Sequence, residues 1–75
     1  MKTFYEDYYV LQYPHKNQVF VGIDSASGGY PYETTIKQAH KFTFEKVQEY
    51  LASFTKAGFI IKHVHVKFSL ITVNN

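Results

Sequence analysis

The chain has no cysteine and no tryptophan, and all eight of its basic residues are lysine. Without cysteine, neither disulfides nor thiolate metal sites are available to stabilise a domain of 75 residues. The absence of arginine argues against a protein that reads DNA bases through bidentate contacts. A net charge of only +2 argues equally against an acidic mimic of DNA.

Long hydrophobic runs are also missing. No apolar stretch approaches the length of a membrane-spanning helix, and the first seven residues contain no apolar signal core. We therefore expect a cytoplasmic protein that makes no membrane contact. The length predicts a single domain, residues 1–75, near the lower limit for a chain that folds alone.

Aromatic residues, by contrast, are abundant. Seven phenylalanines and seven tyrosines are more than the thin core of so small a domain can bury. Large apolar side chains left on a surface usually mark an interaction site. The composition therefore predicts that the protein associates with itself as a homo-oligomer.

The pattern of apolar residues predicts an α+β fold. Tyr8–Tyr13 and Val19–Ile23 form a predicted β-hairpin, with a polar turn at residues 15–17. Thr43 is the predicted N-cap of one amphipathic helix, which Gly58 ends. With a Gly-rich loop before the helix and a long C-terminal strand after it, these elements predict a small antiparallel sheet covered by one helix. Glu33–Lys41 has no clear assignment.

The last predicted strand, Phe59–Val73, is unusually long. Fully extended it would run to about 50 Å, well beyond a typical strand. Two explanations are open: the strand bends at a bulge near residues 62–65, or its far end pairs with another chain. Its alternation places Ile60 and every second residue from Val64 to Leu70 on one face, with His63 and His65 on the other.

The Gly-rich loop is the candidate binding site. Its glycines adopt backbone angles that other residues avoid, their amides are candidates for an anion-binding nest, and its tyrosines offer rings that stack on a base. The candidate ligand-binding residues are Asp24, Ser25, Ser27, Gly28, Gly29, Tyr30 and Tyr32. The alternative is a plain connection in which Asp24 and Ser25 form local turns. No Walker or dinucleotide-binding motif is present.

Other candidate sites are weaker. His63 and His65 would bind zinc or nickel only with a third ligand, which the sequence does not identify, so a solvated sheet face is expected instead. Asp24, Ser25, Ser27 and His40 have no spacing typical of a catalytic triad, and we expect neither an enzyme nor a cofactor. A band of tyrosines on the first strand either packs on its neighbours or stacks the bases of a nucleic acid. These tyrosines are Tyr5, Tyr8, Tyr9 and Tyr13.

The loop and its flanking residues resemble small uncharacterised proteins of phages and prophages. The matching residues are Val21-Gly22-Ile23-Asp24-Ser25, Ser27-Gly28-Gly29-Tyr30-Pro31-Tyr32, Ala39, Phe42 and Tyr50-Leu51. The resemblance covers about Tyr8 to Phe54, and it implies an accessory viral protein that acts in the bacterial cytosol. Proteins of this kind look like counter-defence factors that work by binding.

Together these features predict a non-enzymatic, homo-oligomeric binding protein of phage origin. Its expected partners are itself and either a nucleotide-like small molecule or a host protein, captured stoichiometrically. The alternative function is single-stranded nucleic-acid binding across the tyrosine-rich sheet face.

Overall fold

The computed structural model describes residues 2–73. In that range it has four strands and one α-helix: β1 Lys2–Gln12, β2 Phe20–Asp24, β3 Tyr30–Thr34, α1 Phe44–Ser53 and β4 Ile60–Leu70. The strands form one antiparallel sheet in the order β3-β2-β1-β4. The predicted α+β class is confirmed, with one strand more than the sequence indicated. No helix within residues 2–73 is long and apolar enough to cross a membrane.

The additional strand, β3, begins inside the predicted Gly-rich loop and ends in the unassigned segment. Proline and glutamate are both uncommon in strands, which is why this stretch gives no strand signal. Pro31 lies opposite Ile23 on a strand at the edge of the sheet. There the nitrogen of a proline can face outward, and its missing N–H costs no ladder hydrogen bond.

The long C-terminal strand pairs with β1 of its own chain. The register is unbroken from Lys2 opposite Leu70 to Gln12 opposite Ile60. The explanation by a bulge near residues 62–65 is therefore wrong, because the pairing continues through that segment without interruption. Pairing of the far end with another chain stays a prediction, because β4 is an edge strand of the sheet. β1 is itself 11 residues long and begins six residues before the predicted hairpin strand.

The predicted hairpin between β1 and β2 is confirmed, but the two strands pair over only a short stretch. The two strands are in register at Gln12 and Phe20 and then separate. Residues 40–42 enter the gap: Phe42 and Tyr9 exchange two backbone hydrogen bonds of 2.8 and 2.9 Å, and the His40 amide donates to the Val21 carbonyl at 3.0 Å. Beyond this junction, residues 2–8 and 64–70 continue as a two-stranded ribbon, which we call the arm.

The helix begins where the sequence predicts. The Thr43 hydroxyl accepts a hydrogen bond from the Lys46 amide at 3.2 Å, which satisfies one of the free donors of the first turn. The α-helix ends at Ser53, earlier than predicted, and a 3-10 turn over Thr55–Ala57 leads to Gly58 at φ 70°. The helix covers a core of five buried side chains: Leu11, Val21, Phe42, Val47 and Phe59.

Candidate functional site

The two faces of the β1–β4 pair have different environments. Leu11 and Ile61, on the odd-numbered face, belong to or pack against the core beneath the helix. The even-numbered face of the arm has no such cover. Phe4 and Phe68 stack on each other there with ring centroids 5.0 Å apart, and they remain 44% and 37% exposed.

This surface, which we call the apolar face of the arm, consists of two half-buried valines and three exposed side chains: Val64, Val66, Phe4, Phe68 and Leu70. Leu70 at its tip is 55% exposed. At the base of the arm, the Lys41 ammonium lies 4.8 Å from the ring centroid of Tyr8 and 3.7 Å from a carboxylate oxygen of Glu6. The even-numbered face of the arm is therefore mostly apolar, with charged side chains at Lys2 opposite Leu70 and at Glu6 opposite Val66.

The turn between β2 and β3 satisfies most of its own polar groups. The Asp24 carboxylate accepts hydrogen bonds from the Ala26 amide at 3.0 Å and the Ser27 hydroxyl at 2.7 Å. The Gly29 amide donates to the Asp24 carbonyl at 2.9 Å, and the Gly28 amide to the Ser25 carbonyl at 3.4 Å. Because these amides already donate within the turn, a phosphate would have to displace them. The geometry fits the local-turn alternative better than an anion nest.

An aromatic groove lies between this turn and the helix. It is a cavity of about 500 Å³, lined by Gly28, Gly29, Tyr30, Tyr50, Ser53 and Phe54. The Tyr50 hydroxyl donates to the Gly29 carbonyl at 2.8 Å and ties the turn to α1. Partial burial raises the pKa of Tyr50 above its ordinary value, which further disfavours ionisation of the hydroxyl that makes this hydrogen bond.

Aromatic rings form a large part of the walls of the aromatic groove. The Tyr30 ring stands edge-on to Phe54 at 6.3 Å, and Tyr50 lies 4.8 Å from Phe54. Tyr30 is 65% exposed, so most of its ring is free to contact a ligand. Such a surface suits a planar ring better than a charged group.

A second cavity of about 350 Å³ adjoins the groove and shares Tyr50 and Ser53 with it. Its other lining residues are His40, Phe42, Lys46 and Glu49. The Lys46 ammonium is paired with the Glu49 carboxylate at 3.2 Å, and both are exposed. The cavity beside the aromatic groove therefore contains a cation together with its carboxylate partner.

Tyr32, the second predicted tyrosine, packs on the backbone of β2. It is opposite Gly22, and a Cβ placed on Gly22 would come within 2.4 Å of the Tyr32 ring. Glycine is thus needed at position 22 so that the ring can lie against the strand. Tyr32 does not line the aromatic groove, so the two predicted tyrosines contact different surroundings.

A cluster of three side chains lies on the odd-numbered face at the base of the arm. Asp7 is opposite His65, and His63 is two residues earlier on β4. One oxygen of the Asp7 carboxylate, Oδ1, lies 2.7 Å from His65 Nδ1 and 2.8 Å from His63 Nε2. The hydrogen bond from His65, aided by that from His63, lowers the pKa of Asp7. We call this the His–Asp–His cluster.

The tyrosines of β1 take separate places. Tyr9 stacks on His63 with centroids 4.9 Å apart, and Tyr5 stacks on His65 at 5.1 Å. Tyr13 stands edge-on to the buried Phe59, and Tyr8 lies beneath Lys41. They do not form one continuous band, because Tyr8 lies on the opposite face from Tyr5 and Tyr9.

Of the seven predicted ligand-binding residues, the structure brings Gly28, Gly29 and Tyr30 to the aromatic groove. Asp24 and Ser27 bond to each other within the turn. Sequence analysis missed the contribution of the helix, from Tyr50, Ser53 and Phe54. The available signal is the helical spacing of Tyr50 and Phe54 on the apolar side of the predicted amphipathic helix, a pattern more typical of core residues than of a binding site. His40, considered for catalysis, packs edge-on against Phe42 at 4.6 Å.

Comparison with known proteins gives no further assignment of this site: no protein-family model, curated protein or solved structure matches the chain.

Proposed function

We propose that this protein is a non-enzymatic binding protein that acts as a homo-oligomer, in its simplest form a dimer joined through the apolar face of the arm. A single observation carries the proposal: a ribbon of two strands projects from the domain with its apolar side chains exposed. Isolated two-stranded ribbons are marginally stable in water, and a second copy of the same face would cover these side chains.

The surface area of the chain supports this assembly. Its accessible surface is 5814 Å². A compact monomer of 8.8 kDa would expose about 4,800 Å². The excess of roughly 1,000 Å² compares well with the ~800 Å² that each partner buries in a stable interface.

The shape of the chain agrees with its area. The radius of gyration is 15.4 Å and the longest dimension is 53 Å. A compact domain of this length would have a radius of gyration of about 11 Å. Phe4, Phe68 and Leu70 lie on the projecting part, so the elongation and the apolar exposure have the same origin.

Native mass spectrometry of protein purified from bacterial cells without denaturation tests the proposal. The expected spectrum shows an oligomer, since dimerisation removes the apolar face from water. Extra mass of a few hundred daltons would also report a retained ligand. A monomer at micromolar protein concentration would contradict the proposed assembly.

For the captured partner, we propose a nucleotide-like small molecule rather than a host protein. A planar base fits against the rings of Tyr30 and Phe54 in the aromatic groove, and Lys46 in the adjoining cavity offers a charge for a phosphate. Lys46 would exchange its exposed ion pair with Glu49 for this contact, at little cost because exposed pairs contribute about 1 kcal/mol or less. Capture by a phage accessory protein would remove such a molecule from host signalling.

Replacing Tyr30 by alanine should weaken nucleotide binding while the domain stays folded. Stacking of a base on an aromatic side chain is worth about 1–3 kcal/mol, so a loss of roughly ten- to hundredfold in affinity is expected. The measurement is calorimetric titration with adenosine monophosphate and with a cyclic dinucleotide. Tyr5→Ala is the matched control, because Tyr5 is a similarly exposed tyrosine on the arm. Equal nucleotide affinities of the two variants would contradict the assignment of the aromatic groove as the binding site.

Single-stranded nucleic-acid binding is the second candidate. It is favoured by the stacked Tyr5–His65 and Tyr9–His63 pairs, with Lys67 opposite Tyr5 on the same face. Asp7 lies between the two pairs and would repel a phosphate backbone, so this function ranks below small-molecule capture. An affinity for oligonucleotides that falls steeply as salt rises would reverse that order.

A further inference from the structure

The His–Asp–His cluster unites side chains that are far apart in the chain. Asp7 is separated from His65 by 58 residues, yet the β1–β4 register sets them opposite each other. His63 projects from the same face because side chains two residues apart in a strand share a side. Asp7 is the third donor that the sequence could not identify for the two histidines.

The geometry holds the three donors in place. Each imidazole is stacked on a tyrosine, His63 on Tyr9 with ring planes 21° apart and His65 on Tyr5 with planes 19° apart. Both histidines donate toward the same carboxylate oxygen of Asp7. Packing and hydrogen bonding thus orient the rings before any ligand arrives, which lowers the entropy lost on binding.

We propose that the His–Asp–His cluster is a binding site for one divalent transition-metal ion, zinc being the best match. The donors are His63 Nε2, His65 Nδ1 and a carboxylate oxygen of Asp7. Imidazole and carboxylate are ligands that zinc accepts, and three protein ligands with one open position are typical of non-structural zinc sites. Lys67, opposite Tyr5, is the nearest cation along the same face of the strand pair and keeps the site from being strongly negative.

The metal must open the cluster slightly. Within residues 2–73 no group of three or more histidine, aspartate or glutamate side chains has the arrangement of a metal site as it stands. In this cluster the three side chains are joined by hydrogen bonds instead. Zinc bonds of about 2.0–2.1 Å in tetrahedral geometry place neighbouring donor atoms roughly 3.3 Å apart. The present N···O distances are 2.7 and 2.8 Å, so each must lengthen by about half an ångström.

Zinc binding needs no added base to remove the imidazole protons that now bond to Asp7. In the neutral tautomer that makes these hydrogen bonds, each imidazole donates one N–H to Asp7 and has a free lone pair on its other nitrogen. When zinc binds, the proton of each ring moves to that other nitrogen, and the vacated nitrogen coordinates the ion. The side chains of all three residues are about half exposed, so they have room for this change.

Calorimetric titration of the full-length, untagged chain with zinc chloride tests the proposal. The expected result is one ion per chain, with affinity reduced at least about tenfold by His63→Gln, by His65→Gln and by Asp7→Asn, since each removes a ligand. His15→Gln is the matched control, because His15 lies in the turn after β1, away from the cluster. Circular dichroism confirms that each variant is folded.

Cobalt(II) provides a second measurement, the visible absorption of the bound ion, which reports on the ligands directly and not on the stability of the fold. A tetrahedral site of two imidazoles and one carboxylate gives visible absorption bands on cobalt binding, and these should be lost in Asp7→Asn. Zinc affinity unchanged by Asp7→Asn, or reduced equally by His15→Gln, would overturn the assignment. So would binding of half an ion per chain, which would require a site shared between subunits. The proposed oligomer is tested separately, because it uses the opposite face of the arm.

Discussion

If the unaltered chain forms the proposed dimer, replacing Phe68 by glutamate is expected to leave the protein monomeric at the same concentrations. Phe68 stacks on Phe4 in the middle of the apolar face of the arm. A buried aromatic residue at the centre of an interface typically contributes about 2–4 kcal/mol, and an unpaired carboxylate there adds a desolvation cost. We therefore expect dimerisation to weaken by about a hundredfold or more.

Analytical ultracentrifugation over a range of protein concentrations measures this effect. Ile36→Glu is the control, because Ile36 is 42% exposed, close to the value for Phe68, but lies between β3 and α1. It should keep the dissociation constant of the original chain. A Phe68→Glu protein that stays dimeric would place the interface elsewhere, and parallel loss in both variants would indicate general destabilisation. The fold should survive in both, because neither residue belongs to the core.

Replacing Leu11 by alanine is expected to remove most of the stability of the domain. Leu11 is fully buried between the sheet and the helix, and it is one of only seven buried apolar side chains within residues 2–73. Large-to-small changes at such positions cost about 2–5 kcal/mol, because the cavity they leave closes only in part. A domain of this size has a free energy of unfolding of about 4–11 kcal/mol, so the loss takes a large share of it.

Urea denaturation followed by circular dichroism checks this prediction. The midpoint should fall sharply while the slope with denaturant stays the same, since the surface exposed on unfolding changes little. Leu70→Ala makes the same chemical change at the exposed tip of the arm. Measured at a concentration where monomers prevail, it should change the free energy of unfolding by well under about 1 kcal/mol. Similar losses for both leucines would mean that the core does not lie where the structure has it.

Local signals explain which parts of the fold were predictable. Thr43 caps the helix through a hydrogen bond to a residue three positions away, and such contacts depend on nearby sequence alone. The shared face of His63 and His65 follows from strand geometry in the same way. β3 escaped prediction because Pro31 and Glu33 are poor strand formers, and their place at the edge of the sheet is a property of the whole fold.

The candidate sites were predictable only in part for a related reason. Tyr30 and its two preceding glycines are visible as an unusual loop, but the groove exists because Tyr50 and Phe54 of the helix pack beside them. Hydrophobic periodicity indicates only that these two residues lie on the apolar side of the helix, and nothing in their spacing shows that they also line a groove beside the turn.

The sequence by itself determined the class of fold, the capped helix and the alternation of β4, because each depends on residues within a few positions of one another. Tertiary structure alone decided which face of β4 is covered: Ile61 packs against the core, while the more apolar even-numbered face stays exposed along the arm. It also decided that Asp7 meets His63 and His65. Both outcomes depend on the register between β1 and β4, and pairing across more than 50 residues is set by the packing of the whole chain, not by any local pattern.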